Sequence, residues 1–121
     1  YMLESNFGRI INISSINGQK GQLGQANYAA AKAGMHGFTK ALAQEVAKKG
    51  ITVNTISPGY IDTDMIQAVP ENVRQSLVAQ IHVGRVAQPE DVPHVVSFLM
   101  QDESGFSTGA NLATNGGHFM D

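Results

Sequence analysis

Two short runs of β-branched and apolar residues stand on either side of one long helical segment, and this order constrains the fold more than any other feature. The runs cover residues 9–15 and 51–56, and their length and composition are typical of buried strands. Residues 26–49 lie between them and predict a helix that ends at Gly50, because glycine is common just beyond a helix. A strand, a long helix and a second strand indicate an α/β fold with a parallel sheet.

Within the long helix, Phe38, Leu42 and Val46 repeat at every fourth position. Residues at this spacing share one face of a helix, so we expect these three side chains to form the apolar stripe that faces the core. Lys48 and Lys49 follow at the end of the helix, where the helix dipole favours positive charge.

Turn residues and shorter patterns predict the other elements. These are the end of a helix at residues 1–6 that Gly8 stops, a loop over residues 16–25, helical pieces over residues 61–82 that Pro70 interrupts, a helix that starts at Pro89, and a third strand over residues 110–114. A chain of 121 residues is long enough for one domain that contains all of them.

The composition argues against several classes of protein. Hydrophobic residues make up 42% of the chain and charged residues 15%, which fits a packed core and not a disordered tail. The net charge of -2, without a basic block, argues against a nucleic-acid partner. The absence of cysteine excludes disulfides and thiolate metal sites. No apolar run is long enough to span a bilayer, so we expect no membrane partner and a cytoplasmic location.

Neither the histidines nor the acidic residues have the spacing of a metal site. The histidines are His36, His82, His94 and His118. We expect them to be surface or partly packed side chains rather than ligands. Asp62 and Asp64 resemble a carboxylate pair, but their position before a helical stretch favours a helix start.

The strongest chemical pattern is Tyr28 followed four residues later by Lys32, with Ser15 thirteen residues before the tyrosine. Residues four apart share one face of a helix, so a phenol and an ammonium would project side by side. A nearby cation favours the ionised form of a phenol, which enables a tyrosine to give or take a proton near neutral pH. Ser15 ends the first predicted strand and could hydrogen-bond the same substrate oxygen.

The context strengthens a pair that, taken alone, more often lines a solvated helix face. Ser15 lies at the carboxyl end of a buried strand, where open parallel sheets bind ligands. Residues 57–60 end the next strand at the same edge, either as a simple turn or as a second wall of the crevice. Gly18, Gly21 and Gly24 do not have the spacing of the dinucleotide fingerprint, so a substrate-facing loop is favoured over a phosphate site.

Together these segments resemble the C-terminal half of a short-chain dehydrogenase/reductase. The matching pieces are Asn-Ile-Ser-Ser at 12–15, Tyr-Ala-Ala-Ala-Lys at 28–32, Val-Asn at 53–54, Pro58 with Gly59, Thr63, Gly84 with Arg85, and Asn-Gly-Gly at 115–117. They follow the family's order over nearly the whole chain, which makes the match more specific than any single motif. Residues 8–60 most resemble the acetoacetyl-CoA reductases of polyhydroxyalkanoate synthesis, and the 3-oxoacyl-(acyl-carrier-protein) reductases are the alternative.

The resemblance implies a role for each candidate residue. Tyr28 would protonate the carbonyl oxygen of a 3-oxoacyl thioester as hydride arrives from NADPH, with NADH as the alternative cofactor. Lys32 would favour the phenolate form of Tyr28 and donate hydrogen bonds to the nicotinamide ribose hydroxyls. Ser15 would hold the carbonyl oxygen of the substrate and stabilise its developing negative charge. The implied cofactor-binding residues are Tyr28, Lys32, Pro58, Gly59, Ile61 and Thr63. The implied substrate-binding residues are Ser15, Gln22, Leu23, Gln25 and Tyr60, with residues 61–82 as a mobile lid.

The resemblance also implies that part of the fold lies outside this sequence. The family's glycine-rich phosphate loop and its NADP-selecting residues have no counterpart here, and three strands do not make its seven-stranded sheet. We therefore expect residues 1–121 to be the C-terminal portion of one Rossmann-type, doubly wound domain, with unpaired backbone groups along the first strand. The complete protein would act on an acyl-CoA thioester as a homotetramer. A non-catalytic partial chain is the alternative of another class.

Overall fold

A computed structural model of the chain describes residues 1–120, which form a parallel three-stranded sheet with helices packed against it. The strands are β1 (Gly8–Ile13), β2 (Ile51–Pro58) and β3 (Asn111–Thr114). The helices are α1 (Met2–Ser5), α2 (Ile16–Lys20), α3 (Ala26–Val46), α4 (Asp64–Gln67), α5 (Glu71–Gln80) and α6 (Asp91–Met100), with 3-10 turns at Ala47–Lys49 and Asp102–Phe106. The predicted α/β class is confirmed.

Strand β2 is the centre of the sheet, and all eight of its residues are buried. It pairs with β1 from Gly8 opposite Ile51 to Ile13 opposite Ile56, and β3 pairs along its other side. Such continuous burial is typical of a parallel strand that is covered on both faces. The strand order is β1-β2-β3, so within residues 1–120 the outer edge of β1 has no strand partner.

Helix α3 connects β1 to β2 and packs on the sheet with a face other than the predicted stripe. Its buried residues are Thr39 and Ala43, whereas Phe38 is 57% exposed and Leu42 and Val46 are half-buried. The stripe prediction was therefore wrong, because the apolar spacing marked a face that lies one position away from the buried one.

The buried face of α3 is set by hydrogen bonds to both neighbouring strands. Thr39 Oγ1 accepts from Thr55 Oγ1 of β2 at 2.8 Å and from Asn12 Nδ2 of β1 at 2.9 Å. Buried polar groups must find such partners, since an unpaired one costs free energy. A hydroxyl at residue 39 therefore fixes the rotation of α3 about its axis more specifically than an apolar side chain would.

Two of the predicted boundaries near the start of the chain need correction. Helix α1 ends at Ser5 and is capped by Asn6, which adopts a left-handed conformation with φ of 51°, and Gly8 is already the first residue of β1. Residues 16–20 form α2 and not a loop, because the Ser15 side chain caps this helix by accepting from the Asn17 amide.

Helix α6 begins at Asp91 and not at Pro89. The Asp91 carboxylate accepts from the Gln88 amide at 2.7 Å and from Arg85 Nη1 at 2.9 Å. These bonds to Asp91 lower the pKa of its carboxyl group, first through the Arg85 side chain and then through the Gln88 amide. The Asp91 carboxylate thus organises the turn in front of the helix, and Pro89 lies in that turn, before the first helical residue.

The segment between β2 and α6 contains α4 and α5, which meet around Pro70 as predicted. Neither helix has a buried residue. The two ends of the segment are held together, because Ile61 pairs with Ala87 and the Asp62 amide donates to the Ala87 carbonyl at 2.7 Å. Among residues 1–120, no helix combines the length and the apolar character that crossing a membrane requires.

Candidate active site

Tyr28 and Lys32 lie in the first two turns of α3 and face the same way, as their spacing predicted. The Lys32 Nζ atom is 5.5 Å from the centroid of the Tyr28 ring, within the range of a cation–π contact. The same Nζ donates to the carbonyl oxygen of Ile13, the last residue of β1, at 3.2 Å. The ammonium is thus held between the strand end and the ring, while Tyr28 remains 45% exposed and open to a substrate.

Ser15 lies two residues beyond the end of β1, in an extended conformation, and is the N-cap residue of α2. Its Oγ accepts from the Asn17 amide at 3.1 Å, which leaves its own hydrogen free to be donated. A Cβ atom at Gly18 would lie 2.7 Å from the Cβ of Lys32, so only glycine allows α2 to pack this closely on α3. This packing links the helix that Ser15 caps to the residue that carries the ammonium, and it gives Gly18 a structural role.

Ser14 and His36 form a second connection to Lys32 that the sequence reasoning missed. The Ser14 hydroxyl donates to the Lys32 carbonyl at 2.7 Å and lies 3.3 Å from His36 Nε2. Ser14 is buried and His36 is half-buried. The available signals were positional: Ser14 precedes Ser15, and His36 lies one helical turn beyond Lys32.

Pro58 and Gly59 lie at the carboxyl end of β2, next to the end of β1 that leads to Ser15. The Gly59 amide donates to the Thr114 carbonyl at 2.9 Å. A Cβ atom at Gly59 would approach the Cα of Asn115 to 2.9 Å, so this crossing of two backbones requires glycine. The carboxyl end of the sheet therefore presents main chain and no side chain at residue 59.

Ile61 and Thr63 follow on the same loop. Ile61 is half-buried and anchored by its pairing with Ala87, and Thr63 is exposed in the residue before α4. The structure thus places the predicted cofactor-binding residues along the carboxyl ends of β1 and β2 and the loop that follows β2.

Of the predicted substrate-binding residues, Gln22 and Tyr60 line one cavity of about 440 Å³ between the end of α2 and the side of α5. Gln25 instead contacts α2, where its Oε1 accepts from Asn17 Nδ2 at 3.3 Å. Leu23 is fully exposed. Residues 1–120 contain no cluster of three histidine or carboxylate side chains placed to hold a metal ion.

His118 lines the same cavity and was also missed by sequence reasoning. Its Nε2 lies 3.2 Å from Gln80 Oε1 of α5, and its ring centroid lies 5.8 Å from that of Tyr60. Burial lowers the pKa of His118 below its ordinary value of 6.5, and the charges of Lys20 and His82 lower it further. No sequence pattern connects these residues, since they come from four separate segments.

A family model described as enoyl-(acyl carrier protein) reductase matches residues 1–118, which is nearly the whole chain. The chain belongs to the short-chain dehydrogenase/reductase family. The acetoacetyl-CoA reductase of Allochromatium vinosum is 64% identical over 119 residues, which cover 98% of this chain and 48% of that protein. The family predicted from the motifs is therefore confirmed.

Two further relatives within this short-chain reductase family differ in their named substrate. The acetoacetyl-CoA reductase of Cupriavidus necator is 58% identical over 119 residues. The 3-oxoacyl-(acyl-carrier-protein) reductase of Pseudomonas aeruginosa is 51% identical over 119 residues. Each match covers 98% of this chain and 48% of the relative, so the chain spans about half the length of the curated relatives it matches.

Proposed function

We propose that this chain is the C-terminal portion of an NADPH-dependent acetoacetyl-CoA reductase, which reduces acetoacetyl-CoA to 3-hydroxybutyryl-CoA. The observation that carries the proposal is the position of the Lys32 ammonium between the Ile13 carbonyl and the Tyr28 ring, next to the strand end from which Ser15 follows. A proton donor, a cation and a hydroxyl at the carboxyl end of a parallel strand suit the reduction of a carbonyl group.

The residues at this edge suit a nicotinamide cofactor. An ammonium has three hydrogens, and the bond from Lys32 to the Ile13 carbonyl uses one of them, so two remain for ribose hydroxyls. The main chain at Pro58 and Gly59 offers a surface without a protruding side chain at residue 59, and Ile61 and Thr63 continue it. The bound cofactor would supply the hydride, as NADPH or, as the alternative, NADH.

The chain's own residues would handle the proton and the charge. Tyr28 would give its phenolic proton to the substrate carbonyl oxygen, and the Lys32 ammonium would favour the phenolate that remains, because opposite charges attract. The Ser15 hydrogen, which its helix cap leaves free, would be donated to the same oxygen. Such a donor gains strength as negative charge grows on the oxygen, so it stabilises the transition state more than the ground state.

The substrate proposal rests on the names of the relatives. The two acetoacetyl-CoA reductases are 58% and 64% identical to this chain, compared with 51% for the carrier-protein-linked reductase. The description of the family model names an enoyl substrate. We follow the relatives, because their named substrates carry a ketone, which a proton donor and a hydroxyl at this edge suit.

The same proposal covers the parts of the protein beyond this chain. Among the described residues 1–120, the outer edge of β1 has no partner strand, which supports a sheet that continues there with the strands that carry the phosphate loop. A homotetramer, which the family resemblance implies, and a cytoplasmic location complete the proposal.

A 3-oxoacyl-(acyl-carrier-protein) reductase is the second candidate, favoured by the identity of 51% with the Pseudomonas aeruginosa protein. An acidic carrier protein would need a basic docking patch. In the described part of the chain, Lys20, Arg74 and Arg85 are scattered over separate elements, and Arg85 is paired with Asp91. This arrangement favours the CoA thioester.

The test is an assay of the complete protein, as its natural source produces it, with four combinations of acetoacetyl-CoA or acetoacetyl carrier protein and NADPH or NADH. We expect the highest kcat/KM with acetoacetyl-CoA and NADPH, and no turnover of the enoyl thioester crotonyl-CoA. A higher kcat/KM with the carrier protein would favour the second candidate. A protein that binds no dinucleotide and reduces neither thioester would be the non-catalytic alternative.

A further inference from the structure

We propose that Ser14 and His36 are positioning residues that hold the backbone of Lys32 against the strand end from which Ser15 follows. The proposal rests on the proposed function and adds two residues to it. Neither residue belongs to the candidate catalytic or ligand-binding residues described above. Ser14 instead bonds the main-chain carbonyl of Lys32, and His36 contacts the Ser14 hydroxyl.

Ser14 ties three parts of the structure together. Its amide donates to the Ile56 carbonyl of β2 at 2.8 Å, and its hydroxyl donates to the Lys32 carbonyl of α3 at 2.7 Å. Ser14 is only 4% exposed, so water does not readily replace either bond. Since Ser15 is the next residue, one buried hydroxyl sets where the strand ends relative to the helix turn that carries the ammonium.

The chemistry of a hydroxyl fixes the direction of the bond to His36. A serine hydroxyl has one hydrogen, and Ser14 gives it to the Lys32 carbonyl, which can only accept. The His36 Nε2 atom, 3.3 Å from Ser14 Oγ, must therefore be the donor. Nε2 carries a hydrogen both in this neutral tautomer and in the doubly protonated ring, so the order His36, Ser14, Lys32 is kept in either state.

A purely structural role and a positioning role differ in what a variant would change. Loss of a buried hydrogen bond lowers the melting temperature in both cases. Only a positioning role moves the Lys32 ammonium relative to Tyr28, which weakens the preference for the phenolate. The ionisation of the phenol would then need a higher pH, and the alkaline limb of the activity profile would move in the same direction.

The test compares variants of the complete protein. Ser14→Ala and His36→Leu remove the two donors, whereas His36→Gln keeps an N–H group at a similar reach. The matched control is Thr55→Val, which removes an equally buried hydroxyl that donates to Thr39 and not to Lys32. We expect kcat to fall about tenfold in Ser14→Ala, with KM for acetoacetyl-CoA within about twofold of the wild type, because small misplacements act on the chemical step.

The deciding readout is the ionisation of Tyr28, followed by phenolate absorbance as the difference between each protein and the same protein carrying Tyr28→Phe. Ionisation at a higher pH in Ser14→Ala and His36→Leu, but not in His36→Gln or Thr55→Val, would support the proposal. An unchanged titration in Ser14→Ala would overturn it, whatever the melting temperature. This readout needs no substrate, so a wild type that does not reduce acetoacetyl-CoA would refute the proposed function separately.

Discussion

The two walls of the candidate site are built in opposite ways. On the first wall, Lys32 is bonded to the end of β1 and packed against α2, and Ser15 caps α2. The neighbouring strand β2 is buried along its whole length. On the other wall, α4 and α5 have no buried residue, and the hydrogen bond between His118 and Gln80 links α5 to the C-terminal segment. The first wall is therefore rigid and the second is suited to opening.

This contrast matches what a thioester reductase would need from each wall. The groups that exchange a proton with the substrate require a fixed geometry, because misplacement by a fraction of the bond distance already slows the chemistry. The acyl group and its carrier must enter and leave, so the wall that covers them gains from weak attachment. Three experiments, ordered by the size of the expected effect, test this difference between the two walls.

The largest effect is expected on the rigid wall from Tyr28→Phe in the complete protein. The variant keeps the ring beside Lys32 but loses the proton, so kcat should fall by about 10²–10⁴-fold, the usual contribution of a general acid. Cofactor affinity, measured by nucleotide fluorescence titration, should be nearly unchanged. Turnover close to that of the wild type would refute the role of Tyr28.

A smaller effect is expected from Gly18→Ala, which forces a methyl group against the Cβ of Lys32 at 2.7 Å. Overpacking of this kind should lower the free energy of unfolding by about 1–3 kcal/mol, measured by urea denaturation. The matched control is Gly34→Ala in α3, where no atom outside the local helix backbone lies within 4 Å of the added Cβ. That control should be neutral or raise the free energy of unfolding by up to about 1 kcal/mol. Equal losses in both variants would mean that the contact with Lys32 is not the cause.

The smallest effect is expected at His118, on the second wall, and depends on pH. Burial lowers the pKa of His118 below 6.5, so the folded protein takes up this proton less readily than the unfolded chain. The stabilising contribution is complete above pH 6.5 and is lost as the pH falls toward the lowered pKa. His118→Gln should therefore lose less stability than the wild type between about pH 7.5 and pH 5.5, measured by urea unfolding. The same loss in both proteins would show that another group is responsible.

Local signals made the order of elements and the Tyr28–Lys32 pair predictable from the sequence. Strand runs, the glycine after the long helix and a four-residue spacing depend on neighbours along the chain, and Gly50 indeed adopts φ of 70°. The buried face of α3 did not follow from such signals. Thr39 is buried because Thr55 and Asn12, on two different strands, both bond to it.

Helix α2 and the cavity residues depended on tertiary contacts in the same way. A five-residue helix with a glycine at its centre is favoured only once Ser15 caps it and Gly18 packs on Lys32. His118 enters the cavity because the segment after β3 reaches α5, an approach that no spacing in the sequence indicates.

The outer edge of β1 restricts the positions that a neighbouring strand can take when it pairs with it. Strand residues repeat at about 3.3 Å, and a slip by one residue would turn every side chain to the opposite face. A strand that pairs with β1 can therefore take only discrete positions relative to Ser15, which lies two residues beyond the end of β1. The register of the paired strand would therefore set how far a molecule bound by that strand's segment lies from Ser15.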